Sequence, residues 1–474
     1  MSDAISVAHK KLSWFDGFAF SLGNPIGIFV TMNYAIGTLG SLSVAVLFFI
    51  VSLVAYAQNK LYTEMAFMFP GRSGGIATFA NEAWGKYCSP IGAIAALGYW
   101  LAWTAAVSVF ALTFGQLIQA QFYPEIQWTI SLGVADIGLS HVLGAVALAF
   151  ISLVNCISTK YAANLNKVIG AVALALIAAI TIVPFVTGSY DFTLATNKIN
   201  FGDSVWGGMR LSLAMMFVFA WSAYGTEICA TFANEYKSPF RDTVKALRAS
   251  GLFMLVAVIV MPIGLGASVG DTVIAANPTG VFAIALQKLI GPAAAVVAVI
   301  LAASMLILMN SCMADSGQAL YGLAKERLTI KQFDHLNKFG LPARCIMAGL
   351  VINMIVLFFV GNILGIIFAS NISYILTVTL VLFGFVLLRK DRPNWPRPFK
   401  LGSHWIFIAV VLGVFNLTLL VVGGLSPEIA GYGGTKEQVV ALCVLGAVLL
   451  SYFYRRIIQD GNFKWREAAQ VIGS

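Results

Sequence analysis

Apolar stretches of about 20 residues, each long enough to cross a bilayer as a helix, recur along most of the chain. They fall roughly at 14–38, 41–69, 90–121, 141–158, 162–187, 206–233, 246–269, 281–322, 343–360, 362–388, 404–424 and 438–458. The pattern predicts about twelve transmembrane helices in an all-α membrane fold. The run 281–322 exceeds one span, so its ends are expected to emerge from the bilayer or to tilt. Two runs are interrupted in composition. The first, from Trp14 to Leu39, carries Gly23-Asn24-Pro25-Ile26-Gly27 near its middle. The sixth carries Phe219-Ala220-Trp221-Ser222-Ala223-Tyr224-Gly225-Thr226-Glu227, with a glycine and a carboxylate at mid-span.

Pro25 has no backbone N–H, and Gly23 and Gly27 loosen the chain on either side of it. Backbone groups freed by such a break cannot face hydrocarbon. Both stretches are therefore expected to line an enclosed cavity, the setting in which secondary transporters hold their cargo. Two broken helices five spans apart are also what an inverted repeat of spans 1–5 and 6–10 produces.

Composition agrees with the pattern. Of 474 residues, 59% are hydrophobic and 10% charged, where soluble chains average roughly 45–50% and 25%. Mean hydropathy is +0.87. One helical membrane domain is expected: a tail over 1–12 and a ten-helix core over 13–400, with repeats near 13–190 and 200–390. Helices 11 and 12 follow over 401–460, then a tail over 461–474.

The net charge of +9 raises nucleic acid as a partner, and its distribution argues against that. Lys and Arg concentrate in alternate loops: Lys10 and Lys11, Arg72 and Lys86, Lys237 to Arg248, Lys325 to Arg344, Arg389 to Lys400, and Arg455 to Arg466. Intervening loops hold little beyond Lys198, Arg210, Lys288 and Lys436. The alternation predicts an even number of spans in a plasma (inner) membrane, with both termini cytoplasmic. No cleavable signal is expected. The six cysteines stand singly, without CxxC or Cys/His spacing, so no metal, cofactor or disulfide framework is predicted. His9, His141, His335 and His404 fall at span ends or in loops, which argues against a membrane enzyme.

Six motifs in order around these spans resemble the amino acid–polyamine–organocation (APC) transporter family. They are Pro25-Ile26-Gly27-Ile28-Phe29, Pro70-Gly71-Arg72-Ser73-Gly74-Gly75, and Gly225-Thr226-Glu227 with the turn from Glu235 to Asp242. Leu320 to Glu326, Leu336 to Arg344, and Arg397-Pro398-Phe399-Lys400 complete the set. The resemblance implies a LeuT-like fold of two inverted five-helix repeats plus two peripheral helices. It also implies alternating-access transport of an amino acid or related amine, as symporter or antiporter. A transporter-like solute sensor, or an exchanger of polyamines or other small organic solutes, stays open. The chain departs from the family at Pro25 and Ile26, where members carry glycine and serine, so one donor and one hydroxyl are absent. In several proton-coupled relatives a lysine stands in mid-span 5; here Ala173 aligns near it and Lys167 lies nearer the cytoplasm, which argues against that lysine-type mechanism. Coupling to H+, coupling to Na+, and exchange all stay open.

The candidate binding residues are Gly23, Pro25, Ile26, Gly27 and Ile28 in span 1, with Trp221, Ser222, Tyr224 and Gly225 in span 6. Amides of Ile26, Gly27 and Ile28 at a half-helix start would receive a carboxylate, and free carbonyls near Leu22 and Gly23 an ammonium. The resemblance implies Trp221 as an aromatic over the substrate, where the arginine/agmatine-exchanger branch of the family places one; a lipid-facing or packing tryptophan is the alternative. Gly225 is expected to allow unwound backbone. Glu227, a carboxylate at mid-membrane depth, reads as a gate or brace and equally as a proton carrier. Asp315 and Ser311 in span 8 mark a cation site or the cytoplasmic vestibule. Asn33, Tyr99, Trp103, Asn371 and Tyr374 are candidate cavity-wall residues. Glu64 and Lys60, one turn apart in span 2, are expected to pair within their helix.

Overall fold

Nine helices among the described residues are long and apolar enough to span a membrane. The computed structural model describes residues 13–21, 23–69, 75–133, 135–157, scattered positions from 171 to 179, 181–199, 204–231, 236–278, positions 281, 284 and 285, 294–360, 363–431 and 433–467. Helix α1 covers Trp14–Ser21 and α2 Gly23–Leu39. They are followed by α3 (Ser41–Met68), the short α4 (Ile76–Trp84) and α5 (Ser89–Phe122). A two-stranded antiparallel hairpin, β1 (Thr129–Ser131) and β2 (Asp136–Gly138), leads into α6 (Leu139–Asn155).

The second half begins with α7 (Val205–Ala223), a 3-10 turn over Tyr224–Glu227 and α8 (Ile228–Thr231). Next come α9 (Pro239–Val269), α10 (Asp271–Ala276) and α11 (Ala294–Lys325). Helices α12 (Ala343–Val360), α13 (Ile363–Asp391) and α14 (His404–Gly424) follow. The short α15 (Pro427–Ala430) and α16 (Thr435–Phe453) close the series.

The nine long helices coincide with nine of the twelve apolar runs. The run at 141–158 is α6, a shorter apolar helix of 17 residues. Most of the run at 162–187, with Lys167 and Ala173, lies outside the described residues, as do residues 70–74 of the family-like loop and Glu235. In the long eighth run, helix is described from Ala294. Helix α4 was not expected, because nine residues are too few to register as a span.

Both interruptions fall at element boundaries: α1 ends at Ser21 and α2 begins at Gly23, and α7 ends at Ala223 where the 3-10 turn begins. Gly23 to Gly27 are helical backbone, the first residues of α2, so the amides of Ile26 and Gly27 belong to a helix instead of open chain. Pro25 sits within that first turn, where a missing N–H is tolerated. Leu22 lies outside the described residues, as do the side chains of Asn24, Pro25 and Ile26. In span 6, Gly225 lies in a tightened turn and not in unwound backbone. The Tyr224 amide donates to the Ala220 carbonyl, and the Ile228 amide donates to that of Gly225.

Helix α5 is the axis of the bundle and packs against α6, α11, α12 and α13, while α3 packs along α9 and α13 along α14. Close approach depends on small residues. A Cβ on Gly98 of α5 would stand 2.9 Å from Thr377 Oγ1 of α13. That hydroxyl donates to the Ala95 carbonyl at 2.8 Å.

The two ends of the bundle are closed differently. At one, Asp271 is buried and accepts from the Ser41 amide (3.0 Å), the Thr196 amide (2.8 Å) and the Thr196 hydroxyl (2.6 Å). Backbone bonds Leu42 N to Thr196 O and Lys198 N to Leu39 O tie the same segments together. At the other, basic end, Glu64 of α3 is fully buried between two arginines. Arg389 Nη2 lies 2.5 Å and Arg397 Nε 3.1 Å from its carboxylate, which also accepts from the Leu401 amide at 2.9 Å. This corrects the expected Lys60–Glu64 pair: Lys60 instead lies over the Tyr56 and Trp405 rings. A second buried pair, Arg392–Glu82 at 2.7 Å, fixes α4 to the same loop.

Candidate functional site

Span 6 brings its polar residues to bear on spans 1, 2, 3 and 10 where α7 tightens into the 3-10 turn. Trp221 lies in the last turn of α7. A Cβ on Gly27 would stand 3.6 Å from its Cζ3 atom, an ordinary van der Waals distance, so the Gly27 backbone lies directly beside the indole. Phe110 of α5 flanks the indole at 6.1 Å between centroids. Next in the chain, Ser222 Oγ lies 3.5 Å from Thr31 Oγ1, whose hydroxyl donates to the Ile28 carbonyl at 3.1 Å. Gly27, Ile28, Trp221 and Ser222 are thus brought together across the α2–α7 contact.

Glu227 closes the 3-10 turn and is 1% exposed. The Tyr374 hydroxyl of α13 donates to its Oε1. Its Oε2 has no hydrogen-bond partner among the described residues. Around this carboxylate the Tyr374 ring meets Tyr99 at 6.3 Å, Trp103 at 6.4 Å and Tyr224 at 6.4 Å. Asp315 of α11 lies within electrostatic range of both Glu227 and Tyr99. Three of the five cavity-wall candidates, Tyr99, Trp103 and Tyr374, therefore belong to one aromatic cluster.

Other candidates fall elsewhere. Asn33 donates to the Pro278 carbonyl at 2.8 Å, beyond the cluster. Asn371 donates to the Phe217 carbonyl, one turn before Trp221. Ser311 lies one turn before Asp315 on α11. Of Gly23, Pro25 and Ile26 only the helical backbone is described.

Span 2 also contributes, which the sequence reading missed. The Asn59 amide donates to Thr226 Oγ1 at 2.9 Å and so anchors the 3-10 turn. Tyr62 is buried within electrostatic range of Glu227, and its hydroxyl lacks a partner among the described residues. A signal was present: Asn59, Tyr62 and Thr63 are polar positions within an apolar span, which membrane helices retain at a cost. Phe110 offered none, being one apolar residue among many.

A family profile described as amino acid permease matches residues 12–449. The chain belongs to the amino acid permease family. With several helices long enough to cross a bilayer, it is a multi-pass membrane protein. It is 24% identical to the gamma-aminobutyric acid permease of Bacillus subtilis (strain 168), over 91% of this chain and 89% of that protein. It is 24% identical to the lysine-specific permease LysP of Lactococcus lactis subsp. cremoris, over 89% and 84%. It is also 25% identical to the large neutral amino acids transporter small subunit 2 of Oryctolagus cuniculus, over 86% and 75%. In this permease, the Gly27–Trp221 contact and the Glu227 cluster belong to spans 1, 2, 3, 6, 8 and 10.

Proposed function

We propose that this permease is a secondary active transporter of amino acids or related amines in the plasma membrane. It works by alternating access, with both termini cytoplasmic and two inverted five-helix repeats about the α2–α7 contact. The observation that carries the reading is the meeting of Gly27, Trp221 and Phe110 immediately beside the tightened turn that holds Glu227. The named substrates of the three relatives differ in side chain and share an amine and a carboxylate. Span 1 supplies a helix N-terminal region, suited to a carboxylate. The indole face of Trp221 suits an aliphatic or cationic side chain, a cation there contributing about 0.5–2 kcal/mol.

Glu227 braces span 6 against span 10 through Tyr374 in this reading. Its second oxygen, buried and without a partner among the described residues, favours a further role in passing a proton. Sodium coupling through Asp315 and Ser311 is the competing scheme, and exchange needs neither ion.

The test is uptake by purified protein in sealed vesicles, against a panel of amino acids and polyamines, with an imposed H+ or Na+ gradient. Uptake of at least one solute is expected. Movement of none would overturn the reading. Trp221→Ala and Gly27→Leu are expected to abolish uptake while surface expression persists, and normal uptake by both variants would remove the site from this contact. Glu227→Gln that leaves proton-driven uptake and its pH profile unchanged would exclude Glu227 from coupling.

A further inference from the structure

A second site, apart from the Gly27–Trp221 contact, opens toward the bilayer between α3 and α7. There the two helices line a cavity of about 500 Å³. Val46 and Ile50 of α3 face Leu213 and Met216 of α7, while Ser43, Asn197 and Ile199 close one end. Val46 is 59% and Met209 46% exposed, so the cavity continues into the lipid-facing surface. An apolar cavity of about 150 Å³ accommodates one benzene ring. By that measure 500 Å³ accommodates roughly twenty carbons, the size of one acyl chain.

The closed end is polar. Asn197 Oδ1 accepts from the Ser43 hydroxyl (2.5 Å) and the Ile199 amide (3.1 Å), which leaves its exposed NH₂ directed to other acceptors. Lys198 is exposed beside it and uses one of three ammonium donors on the Gly37 carbonyl, at 3.1 Å. Among the described residues, no carboxylate lines the cavity. We propose that this crevice is a binding site for one phospholipid of the leaflet at that end. Its acyl chain lies between α3 and α7, and its phosphate meets Lys198 and the Asn197 amide. An acyl chain gains no hydrophobic energy by leaving one hydrocarbon environment for another. Occupancy follows from filling a void that would otherwise lose its dispersion contacts, and selectivity follows from charge at the mouth.

The test uses the full chain, purified and delipidated in detergent, with phosphatidylglycerol and diacylglycerol of the same chains as probes and native mass spectrometry as readout. One phosphatidylglycerol per wild-type chain is expected to persist at detergent levels that remove diacylglycerol. Filling the crevice with Leu213→Trp or Val46→Trp should weaken it by roughly tenfold or more. Lys198→Glu should weaken it by roughly fivefold. Val414→Trp, on the exposed face of α14, should leave it unchanged. Thermal unfolding identifies any variant that fails to fold, and the two filling variants approach the crevice from opposite walls. Equal retention by wild type and both folded filling variants would overturn the site, and diacylglycerol binding as tightly as phosphatidylglycerol would overturn the headgroup assignment.

Discussion

At the Asp271 end of the bundle, three segments distant in sequence are joined mainly by main-chain amides donating to one buried carboxylate and by backbone bonds from Leu42 to Thr196 and from Lys198 to Leu39. At the basic end, α3, α4 and α13 are joined through side-chain ion pairs, Glu64 with Arg389 and Arg397, and Glu82 with Arg392. Backbone bonds fix the path of the chain, and a segment can leave only by losing them together. Ion pairs between long side chains can change partners while the helices stay folded. Under the proposed alternating-access reading a closure must release, and the basic end has the chemistry suited to release.

The largest effect is expected from breaking the basic closure. Glu64→Gln leaves Arg389 and Arg397 facing each other in a buried site, where removing one partner of a buried pair costs about 3–5 kcal/mol. A sharply lowered thermal unfolding midpoint in detergent is the readout. Wild-type stability would mean that solvent already reaches the pair.

Breaking the other closure should cost somewhat less. Asp271→Ala leaves the buried Ser41 amide without its acceptor, about 1–3 kcal/mol, while the half-buried Thr196 amide and hydroxyl turn to water. Hydrogen exchange should rise at Ser41 and Thr196 before any change at Glu64. Simultaneous loosening of both ends would break the comparison, since it would make them one cooperative unit.

A smaller effect tests the backbone directly. Gly40 has φ +80, and an added Cβ would overlap the Thr196 carbonyl oxygen. Gly40→Ala is expected to destabilise by more than about 1 kcal/mol, whereas Gly434→Ala, with open space around it, should change little.

The smallest effect is electrostatic and depends on pH. Burial opposes ionisation of Asp460, yet hydrogen bonds and charges from Arg455 (2.9 Å) and Lys331 (3.2 Å) prevail and hold its carboxyl below the usual range. A depressed folded value means stability that is present above the unfolded value, about 3.9, and is lost as pH falls through the folded one. Asp460→Asn should flatten the acid limb of the stability profile slightly. An unchanged limb would assign it to other carboxylates.

The hydropathy pattern located nine spans, seven of them within about three residues at each end, because lipid imposes one requirement on every spanning segment: its backbone must satisfy itself as helix, so length and apolarity suffice to find it. The same reasoning reads the interruptions less finely. Gly23 to Gly27 and Gly225 signal weak helix in isolation, yet the structure keeps them helical or 3-10. Freed amides were inferred from residue type, whereas the surrounding helices decide whether they are freed. Trp221, Tyr99, Trp103, Tyr374 and Glu227 were named from sequence because polar and aromatic groups stand out against apolar spans. Their mutual contacts were not legible, nor was Phe110 among them.

Amino-acid order alone determined the membrane environment, the basic side of the bundle and the family, since each depends on composition within short windows or on motifs in series. The three-dimensional fold alone decided partners. Glu64 lies four residues from Lys60 and pairs instead with Arg389, 325 residues away, because a fully buried carboxylate is stabilised by whichever donors are buried with it. A lysine able to reach water and aromatic faces has no such constraint. Separation along the chain carries no information about that choice, whereas burial does.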